Sequence, residues 1–273
     1  MKVVLFCGGL GLRMRESDQP AGIGPRRTSD VPKPLQLIGG QPLLWHVMSW
    51  YASWGHTHFV LCLGANGELI REWVEKRGHD LRKRPSADPA VTSVTVRGGD
   101  MDGWRVDLAD TGAESSIGER LRRVRGLVAD EPMFLANYAD GLSDVPLDQL
   151  IDRARRTGAT ATFLAVPPAT SMHSVQFDPA SGQVSAVMPL ADTGVYINGG
   201  FFVLRPEVFE HMRPGEELVD EPFARLATQG KLAAFPYLGF WRACDTVKDR
   251  KSLQDVWDAG APWLPPQHFA KTS

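Results

Sequence analysis

The feature that most constrains the fold is an alternation, in the first half of the chain, of short apolar runs with segments of helical periodicity. The short runs suit buried strands, and the segments between them carry apolar residues three and four positions apart, which predicts amphipathic helices. Strands that alternate with crossover helices form a mostly parallel sheet with helices on both faces. The predicted strands are Lys2–Cys7, His58–Leu63, Val91–Val96, Trp104–Leu108, Met133–Tyr138 and Thr160–Val166, and the predicted helices are Pro42–Ser53, Gly67–Arg77, Ser116–Val128 and Leu147–Arg156.

The second half of the chain differs, because its apolar runs are shorter and have fewer helices between them. Two segments, Asp18–Asp30 and Asp80–Pro89, combine proline, glycine and arginine with little periodicity, which predicts irregular structure. We expect an α/β, Rossmann-like, mostly parallel or mixed sheet flanked by helices, with a small additional β region, in a single domain over residues 1–263 and a tail over 264–273. The predicted elements of this half are strands at Val175–Phe177, Gln183–Val187, Ile197–Leu204, Lys231–Pro236 and Phe240–Cys244, and helices at Glu221–Gln229 and Thr246–Ala259.

Composition argues against several classes of protein. Among 273 residues, Lys and Arg number 30 and Asp and Glu number 32, a formal charge of −2, whereas proteins that coat nucleic acid carry a strong basic excess. No stretch approaches the roughly 18 apolar residues of a membrane span, and the first apolar run is too short for a signal sequence. The three widely spaced cysteines, Cys7, Cys62 and Cys244, are typical of reduced thiols. We therefore expect a cytoplasmic protein that binds neither nucleic acid nor membranes.

A glycine-rich segment, Cys7-Gly8-Gly9-Leu10-Gly11-Leu12-Arg13, follows the first predicted strand. Glycines at this place allow the backbone to approach a ligand and to turn its N–H groups toward an anion. The third glycine of the dinucleotide-binding fingerprint is missing, since that position is Met14. Such a segment alone is more often an ordinary turn, but the guanidinium of Arg13 beside it suits bidentate binding of a phosphate.

Lys33 stands between two prolines in the segment Asp30-Val31-Pro32-Lys33-Pro34-Leu35. The proline rings restrict the backbone, so the ammonium is presented from a stiff, extended segment and loses little entropy when it binds a phosphate. A lysine in an exposed proline turn is the alternative interpretation. The run Ile38–Leu44 (IGGQPLL) that follows favours the binding role, because it continues a recognisable order of motifs.

With these segments the chain resembles the sugar-1-phosphate nucleotidylyltransferase family, and within it the glucose-1-phosphate cytidylyltransferases. The resemblance covers roughly residues 1–263, and it depends on the joint order of motifs that are weak one by one. They are LFCGGLGLRM, PKPL, GGQPLLWH, DTG with the following Ser116, Gly118 and Arg120, YADG at 138–141, INGGFF at 197–202, GFW at 239–241, CDT at 244–246 and a closing APW.

The resemblance implies a fold of the nucleotide-diphospho-sugar transferase type and a homo-oligomeric enzyme that uses Mg²⁺. It implies transfer of a nucleotidyl group from a nucleoside triphosphate, CTP first, to a hexose 1-phosphate, glucose 1-phosphate first. The implied catalytic residues are Arg13, Lys33, Asp140 and Asp245, the two aspartates being the metal ligands. The implied nucleotide-binding residues are Gly8, Gly9, Gly11, Arg13, Thr111, Gly112, Ser116 and Gly118, and the implied sugar-binding residues are Tyr138, Asn198, Gly199 and Trp241.

The two aspartates also have structural interpretations. Mg²⁺ prefers carboxylate oxygens, usually one or two from the protein. A single aspartate is more often a turn former, and Asp245 could cap the helix that follows it. If both bind one metal, their carboxyl groups should lie within about 8 Å of each other.

Departures from the family pattern affect the substrate side. Met188-Pro189 stands where the family has a lysine that grips the sugar phosphate, and residues 183–200 contain no lysine. We expect a substitute cation, with Arg26 and Arg27 as first choice and Arg242 as second. The alternatives are the same reaction with another nucleotide or sugar, or a non-catalytic nucleotide-sugar-binding protein. Three further replacements bear on nucleotide binding, namely Leu12 for a threonine in the glycine-rich segment and Ile117 and Glu119 in the base-contacting loop.

Two groups of residues favour structural roles. Trp45, Trp50 and Trp54 lie in or directly after a predicted helix, which favours core or subunit contacts rather than a base-stacking surface. The cluster Arg120–Arg125 is typical of a solvated helix face.

Overall fold

A computed structural model describes residues 1–9, 31–77, 80–84 and 88–264. Within these ranges the strands are β1 Val3–Phe6, β2 Leu37–Ile38, β3 Gln41–Pro42, β4 His58–Leu63, β5 Asp80–Arg84, β6 Val91–Arg97, β7 Arg105–Asp110, β8 Phe134–Tyr138, β9 Gly141–Ser143, β10 Ala161–Val166, β11 His173–Phe177, β12 Val184–Pro189, β13 Ile197–Asn198, β14 Phe202–Leu204, β15 Leu232–Pro236 and β16 Trp241–Ala243. The helices are α1 Leu43–Ser53, α2 Gly67–Glu75, α3 Ile117–Arg123, α4 Arg125–Val128, α5 Leu147–Thr157, α6 Glu221–Thr228 and α7 Val247–Asp258.

The main sheet is mixed, with a parallel centre. Strands β8, β1, β4 and β7 lie side by side and run parallel. Antiparallel pairings extend the sheet on both sides: β7 pairs with β6 and β6 with β5, and β8 pairs with β14 and β14 with β10. Strand β15 lies parallel to β10 at the outer edge. The predicted α/β sheet is therefore confirmed.

Helices cover both faces of this sheet. Side chains of each central strand alternate in direction, so each strand presents apolar side chains to both faces. In β1, Val3 and Leu5 belong to the core beneath α1, α2, α5 and α7, whereas Val4 and Phe6 belong to the core beneath α3, α4 and α6. All four β1 side chains are buried. A central parallel strand buried on both sides reads as a continuous apolar run, which is why the sequence at 2–7 predicts it.

Smaller β elements provide the predicted additional β region. Strands β11 and β12 form a two-stranded hairpin, with Ser174 opposite Met188 and His173 opposite Pro189. Strand β16 pairs with β9 immediately beyond the central sheet, so that Arg242 lies opposite Leu142.

Three details correct the element predictions. The segment 80–89 contains strand β5, which pairs with β6, although it was expected to be irregular. The helix expected over 116–128 is divided at Val124 into α3 and α4. The strand expected over 197–204 is interrupted, because Gly200 and Phe201 adopt positive φ angles of 74° and 47°. A positive φ breaks extended pairing and is unusual for a residue with a side chain.

No helix in the described ranges is long and apolar enough to cross a membrane.

Candidate active site

The site lies where the four parallel central strands end. Their carboxyl ends share one edge of the sheet, so the residues that follow β1, β4, β7 and β8 meet in space. In open α/β sheets ligands bind beyond this edge. The residues concerned are Gly8, Gly64, Thr111 and Asp140.

Lys33 joins two of the predicted site residues at this edge. Its Nζ donates hydrogen bonds of 2.6 Å to Oδ2 of Asp140 and 2.6 Å to Oδ1 of Asp245. The two carboxylate oxygens are therefore separated by at most about twice that distance, within the ~8 Å expected for ligands of one ion. The three residues come from distant parts of the chain, and the predicted proximity of the aspartates is confirmed.

The two carboxylates keep Lys33 protonated. Burial alone would lower the pKa of Lys33, but the charge and hydrogen bond of Asp140, together with those of Asp245, raise the pKa above its ordinary value of 10.5. An ammonium held between two carboxylates stays charged at all physiological pH values.

Asp245 is free from the structural role considered for it. The cap of α7 is Thr246, whose hydroxyl accepts from the Asp249 backbone N–H, while the Asp249 carboxylate accepts from the Thr246 backbone N–H. This reciprocal pair is a capping box. The Asp245 side chain is therefore directed to Lys33.

Asp140 and Asp245 already lie on either side of one positive charge, the Lys33 ammonium, so they can be compared with the ligands of a divalent metal. Carboxylate oxygens are the ligands that Mg²⁺ prefers, and one or two from the protein suffice when phosphates and water complete the shell. Asp140 and Asp245 thus have the chemistry and the separation required. Among the described residues no group of three or more His, Cys, Asp or Glu side chains forms a fuller metal site.

Arg120 lies buried beneath the loops at the strand ends, with 1% of its surface exposed. Its Nη1 donates to the carbonyls of Leu63 and Gly112 and to Oγ1 of Thr111, and its Nη2 donates to the carbonyl of Ala113. The expectation of a solvated arginine cluster is wrong at this position, although Arg122 and Arg123 do pair with Glu119 near the surface. Arg120 binds together the segments that follow β4 and β7.

The first glycine-rich segment rests on the same guanidinium. A Cβ atom at Gly8 would lie 2.2 Å from Arg120 Nη1, and one at Gly64 would lie 2.7 Å from it. No residue other than glycine fits at such separations without displacement of the arginine. Gly9, in contrast, is exposed and has open space around its Cβ position.

The predicted base-contacting loop is fixed on a distant segment. The Ser116 hydroxyl caps α3 by accepting from the Glu119 N–H and donates to the carbonyl of Glu216. The carboxylate of Glu217 accepts from the N–H of Ile117. A Cβ at Gly118 would lie 2.3 Å from the Glu216 carbonyl oxygen, so the close approach requires glycine.

Two other predicted residues of this loop have internal partners. The Thr111 hydroxyl donates to the carbonyl of Leu63, 2.6 Å away, and is buried. Gly112 has a φ of 83°, which favours glycine, and its N–H donates to the Asp110 carboxylate.

The four predicted sugar-binding residues form two hydrogen-bonded pairs, which are joined through the adjacent residues Asn198 and Gly199. The Asn198 amide donates to the Tyr138 hydroxyl over 3.2 Å, and Trp241 Nε1 donates to the Gly199 carbonyl over 2.8 Å. Burial raises the pKa of Tyr138 to about 12, so its hydroxyl stays protonated. These residues come from β8, β16 and the interrupted strand between β13 and β14.

Several predicted residues lie outside the described residues. They are Gly11, Leu12, Arg13, Arg26 and Arg27. Arg242, the second-choice cation, is described and lies beside Trp241.

Sequence reasoning missed the burial of Arg120 and the position of Glu217. The spacing of arginines along α3 is typical of a surface helix, and nothing local marks Glu217. The nearest signal for Arg120 is the pair of glycines that make room for it, Gly8 and Gly64.

Comparison with known proteins supplies the family. No protein-family model matches the chain. Glucose-1-phosphate cytidylyltransferase of Salmonella typhimurium is 36% identical over 267 residues, which cover 96% of this chain and 98% of that enzyme. A Bacillus subtilis protein assigned the same activity is 33% identical over 262 residues, with 95% and 97% covered.

Solved structures share the fold at low sequence identity. A Bacillus anthracis protein assigned as a glucose-1-phosphate thymidylyltransferase, in complex with a sucrose, aligns with a TM-score of 0.64 at 12% identity and covers 93% of this chain and 94% of that one. HddC from Yersinia pseudotuberculosis, in complex with GMP-PN, aligns with a TM-score of 0.61 at 16% identity and covers 94% and 99%. Because relatives above 30% identity match almost the whole length, the chain belongs to the glucose-1-phosphate cytidylyltransferase family and is a sugar-1-phosphate nucleotidyltransferase.

Proposed function

We propose that the chain transfers the cytidylyl group of CTP to glucose 1-phosphate, giving CDP-glucose and pyrophosphate. The observation that carries this proposal is the convergence of Lys33, Asp140 and Asp245, which join two carboxylates and a permanent cation at the ligand-binding edge of the sheet. Membership of the family supports the choice of substrates.

The reaction needs positioning and charge neutralisation more than covalent help from the protein. An oxygen of the sugar phosphate attacks the α-phosphorus of CTP, and the bond from that phosphorus to the bridging oxygen breaks. Pyrophosphate leaves with the electron pair, and no proton has to be moved because the attacking oxygen is already ionised. In such displacements the main contributions are in-line orientation and electrostatic stabilisation.

The chain's own residues divide these tasks. Lys33 neutralises charge between the α-phosphate and the incoming sugar phosphate. It begins a 3-10 turn over Lys33–Leu35 and not the extended segment expected, and Pro32 and Pro34 restrict its backbone. Backbone N–H groups at Gly8, Gly9 and Gly11, with the Arg13 guanidinium, bind the pyrophosphate part.

The remaining residues bind the two substrates on either side of Lys33. Those for the nucleotide are Thr111, Gly112, Ser116 and Gly118, and those for the sugar are Tyr138, Asn198, Gly199 and Trp241.

Asp140 and Asp245 hold the divalent cation, Mg²⁺, in this proposal. When bound, such an ion neutralises phosphate charge and orients the phosphates. Lys33 occupies only one oxygen of each carboxylate, Oδ2 of Asp140 and Oδ1 of Asp245, so the second oxygen of each would be available to the ion. We further propose that the protein is a cytoplasmic homo-oligomer.

A substrate panel tests the reaction. The purified chain is incubated with Mg²⁺, glucose 1-phosphate and each of CTP, UTP, dTTP, ATP and GTP, and pyrophosphate and nucleotide sugar are quantified. We expect the highest kcat/KM with CTP. In parallel reactions with CTP, mannose 1-phosphate or galactose 1-phosphate in place of glucose 1-phosphate should give a lower kcat/KM. Faster turnover with another nucleotide would show that CTP is not the preferred donor. Binding of the substrates without turnover would contradict the proposed reaction.

The metal assignment has its own test. Asp140→Asn and Asp245→Asn should each raise the Mg²⁺ concentration needed for half-maximal activity, since an amide is a weaker ligand than a carboxylate. Asp152→Asn, at an exposed position on α5, is the matched control and should leave the Mg²⁺ requirement unchanged. Equal Mg²⁺ dependence in all three variants would contradict the assignment.

A further inference from the structure

A cavity of about 280 Å³ opens beside Asp245 at the base of the β11–β12 hairpin. Its walls come from the loop between β10 and β11, from β13, from β16 and the turn after it, and from the first turn of α7. The lining residues are Pro168, Ala169, Thr170, Met172, Ile197, Trp241, Arg242, Ala243, Asp245 and Asp249. Two of them, Asp245 and Trp241, belong to the candidate active site, so the cavity is continuous with it.

The charges around this cavity are not balanced among its own residues. Among the described residues of the lining, Arg242 is the one cation. Asp245 is paired with Lys33, and the Asp249 carboxylate accepts hydrogen bonds from the backbone N–H groups of Asp245 and Thr246 and from the Thr246 hydroxyl. The charge of Asp245 is thus matched by Lys33, whereas the Asp249 carboxylate is held by neutral hydrogen-bond donors.

Arg242 itself has no carboxylate partner among the described residues. Its Nη1 donates a 2.8 Å hydrogen bond to the Ser252 hydroxyl on α7. That neutral hydroxyl fixes one edge of the guanidinium. The backbone of Arg242 is held in place because β16 pairs with β9. A guanidinium has five N–H donors, so most of them remain for a ligand.

The hairpin above the cavity provides no cation of its own where the family has one. Met188 lies opposite Ser174, and no lysine or arginine occurs in residues 183–200. A phosphate that enters beside Asp245 therefore needs its positive charge from another wall. Arg242 is the residue that the described structure offers there.

We propose that Arg242 binds the phosphate of the sugar 1-phosphate in this cavity and takes over the task of the cation that is missing at Met188. The inference rests on the proposed function, since it assumes a sugar phosphate as the second substrate. Guanidinium and phosphate fit each other through two parallel hydrogen bonds, which fix orientation as well as charge. Arg242 is thus a specificity residue for the acceptor and not for the nucleotide.

The test separates the two substrates kinetically. Arg242→Ala should raise the KM for glucose 1-phosphate by about 30- to 100-fold, as expected for loss of a charged hydrogen bond. The KM for CTP should stay within a factor of about three. Arg242→Lys keeps the charge but not the bidentate geometry, and it should recover part of the loss. Lys251→Ala removes an exposed cation from the same helix as Ser252 and should leave both KM values unchanged.

A binding measurement keeps the inference separate from the reaction. Calorimetric titration of each folded variant with glucose 1-phosphate, without nucleotide, requires no turnover. Weaker binding to Arg242→Ala than to wild type supports the assignment even if CTP proves to be the wrong nucleotide, and failure of the wild type to turn over CTP contradicts only the proposed function.

Two results would overturn the proposal. The first is an unchanged KM and affinity for glucose 1-phosphate in folded Arg242→Ala. The second is a large increase in that KM in Arg26→Ala/Arg27→Ala with none in Arg242→Ala, because the cation would then come from the 10–30 segment. Circular dichroism melting of each variant shows that the comparison is made between folded proteins.

Discussion

The two walls of the cleft are built differently. One, the supported wall, consists of residues 7–9 after β1, the loops after β4 and β7 and the segment 31–42, and it rests on buried polar groups. The other, the hairpin wall, consists of residues 168–197 and extends into solvent, with Met172 67% exposed, Phe177 55% and Val187 60%. The supported wall carries Lys33, Gly8 and Gly9, and the hairpin wall lines the cavity that we propose for the acceptor.

Two buried side chains make the supported wall rigid. Arg120 binds the loops after β4 and β7 beneath Gly8. His46 on α1 connects Ile38 with Trp263, because its Nε2 lies 2.9 Å from the Ile38 carbonyl and its Nδ1 accepts from Trp263 Nε1 over 3.2 Å. The Trp263 donor fixes the neutral tautomer with the proton on Nε2. Comparable buried polar contacts do not occur among the described residues of the hairpin.

This difference bears on one departure from the family pattern, the absence at Met188 of the lysine that the resemblance implies. A loop that rests on a buried guanidinium tolerates little change, since each contact is sterically defined. An exposed hairpin tolerates exchange of its side chains at small cost in stability. The loss of the family lysine at Met188 falls on the hairpin wall, where the fold permits it.

The largest effect on activity is expected at Lys33, the residue of the supported wall that we place beside the reacting phosphates. Lys33→Ala should lower kcat by about 10²- to 10³-fold with folding retained, because a cation that stabilises transition-state charge is removed. The measurement is steady-state pyrophosphate release, with the thermal melt as the check on folding. Activity within a factor of about three of wild type would show that the ammonium takes no part in the reaction.

The next effect is a pH dependence of stability that comes from His46. Burial lowers the pKa of His46 to about 4 from 6.5. Between these values the unfolded chain binds a proton that the folded chain does not, so stability falls as pH falls from 6.5 toward 4. The total for this histidine is on the order of 3 kcal/mol.

Urea unfolding at pH 7, 6 and 5 measures this slope. His46→Gln can keep a donor to Ile38 and an acceptor for Trp263. It should remove the contribution of His46 to the pH dependence of stability. Burial also lowers the pKa of His56 to about 4, and its share remains in both proteins. Parallel stability curves for wild type and variant would disprove the contribution of His46.

A smaller effect is expected from one methyl group at Gly8. Gly8→Ala places a Cβ against the Arg120 guanidinium and should destabilise the fold by about 1–3 kcal/mol, as overpacking does. Gly9→Ala adds the same methyl group in open space and should change stability by less than about 0.5 kcal/mol. Urea titration of the pair measures the difference, and equal stabilities would mean that the loop does not rest on Arg120.

The smallest effect is expected on the hairpin wall. Phe177→Ser and Val187→Ser should each change the free energy of unfolding by less than about 0.5 kcal/mol, since both side chains are more than half exposed. A loss of several kcal/mol would show instead that another surface covers the hairpin in solution, and the contrast between the walls would then be wrong.

Much of the fold could be predicted from the sequence because the central strands are buried on both faces. Runs such as Val3–Phe6 and His58–Leu63 are apolar throughout, and the helices between them have clear apolar faces. Strand β5 could not be predicted in this way, because its sequence DLRKR is charged and it pairs at the sheet edge. The break at Gly200 and Phe201 depends on contacts with Asn137, whose side chain accepts from the Phe201 N–H.

Part of the candidate site could likewise be predicted from the sequence and part could not. The order of motifs along the chain predicted that Asp140 and Asp245 approach each other, and the structure brings both to Lys33. The burial of Arg120 depends on glycines that lie far away in sequence, so local periodicity points to the surface instead. A pattern on one element thus predicts which face is apolar, but not which polar side chain a distant loop will cover.

The position of Lys33 has a consequence for how the site comes into being. Two carboxylates this close would repel each other if no positive charge lay between them. The lysine acts as a built-in counter-ion, so Asp140 and Asp245 are brought together when the chain folds and not when a ligand arrives. Little reorganisation of the two aspartates then remains for the moment of binding, which is the general advantage of a preorganised site.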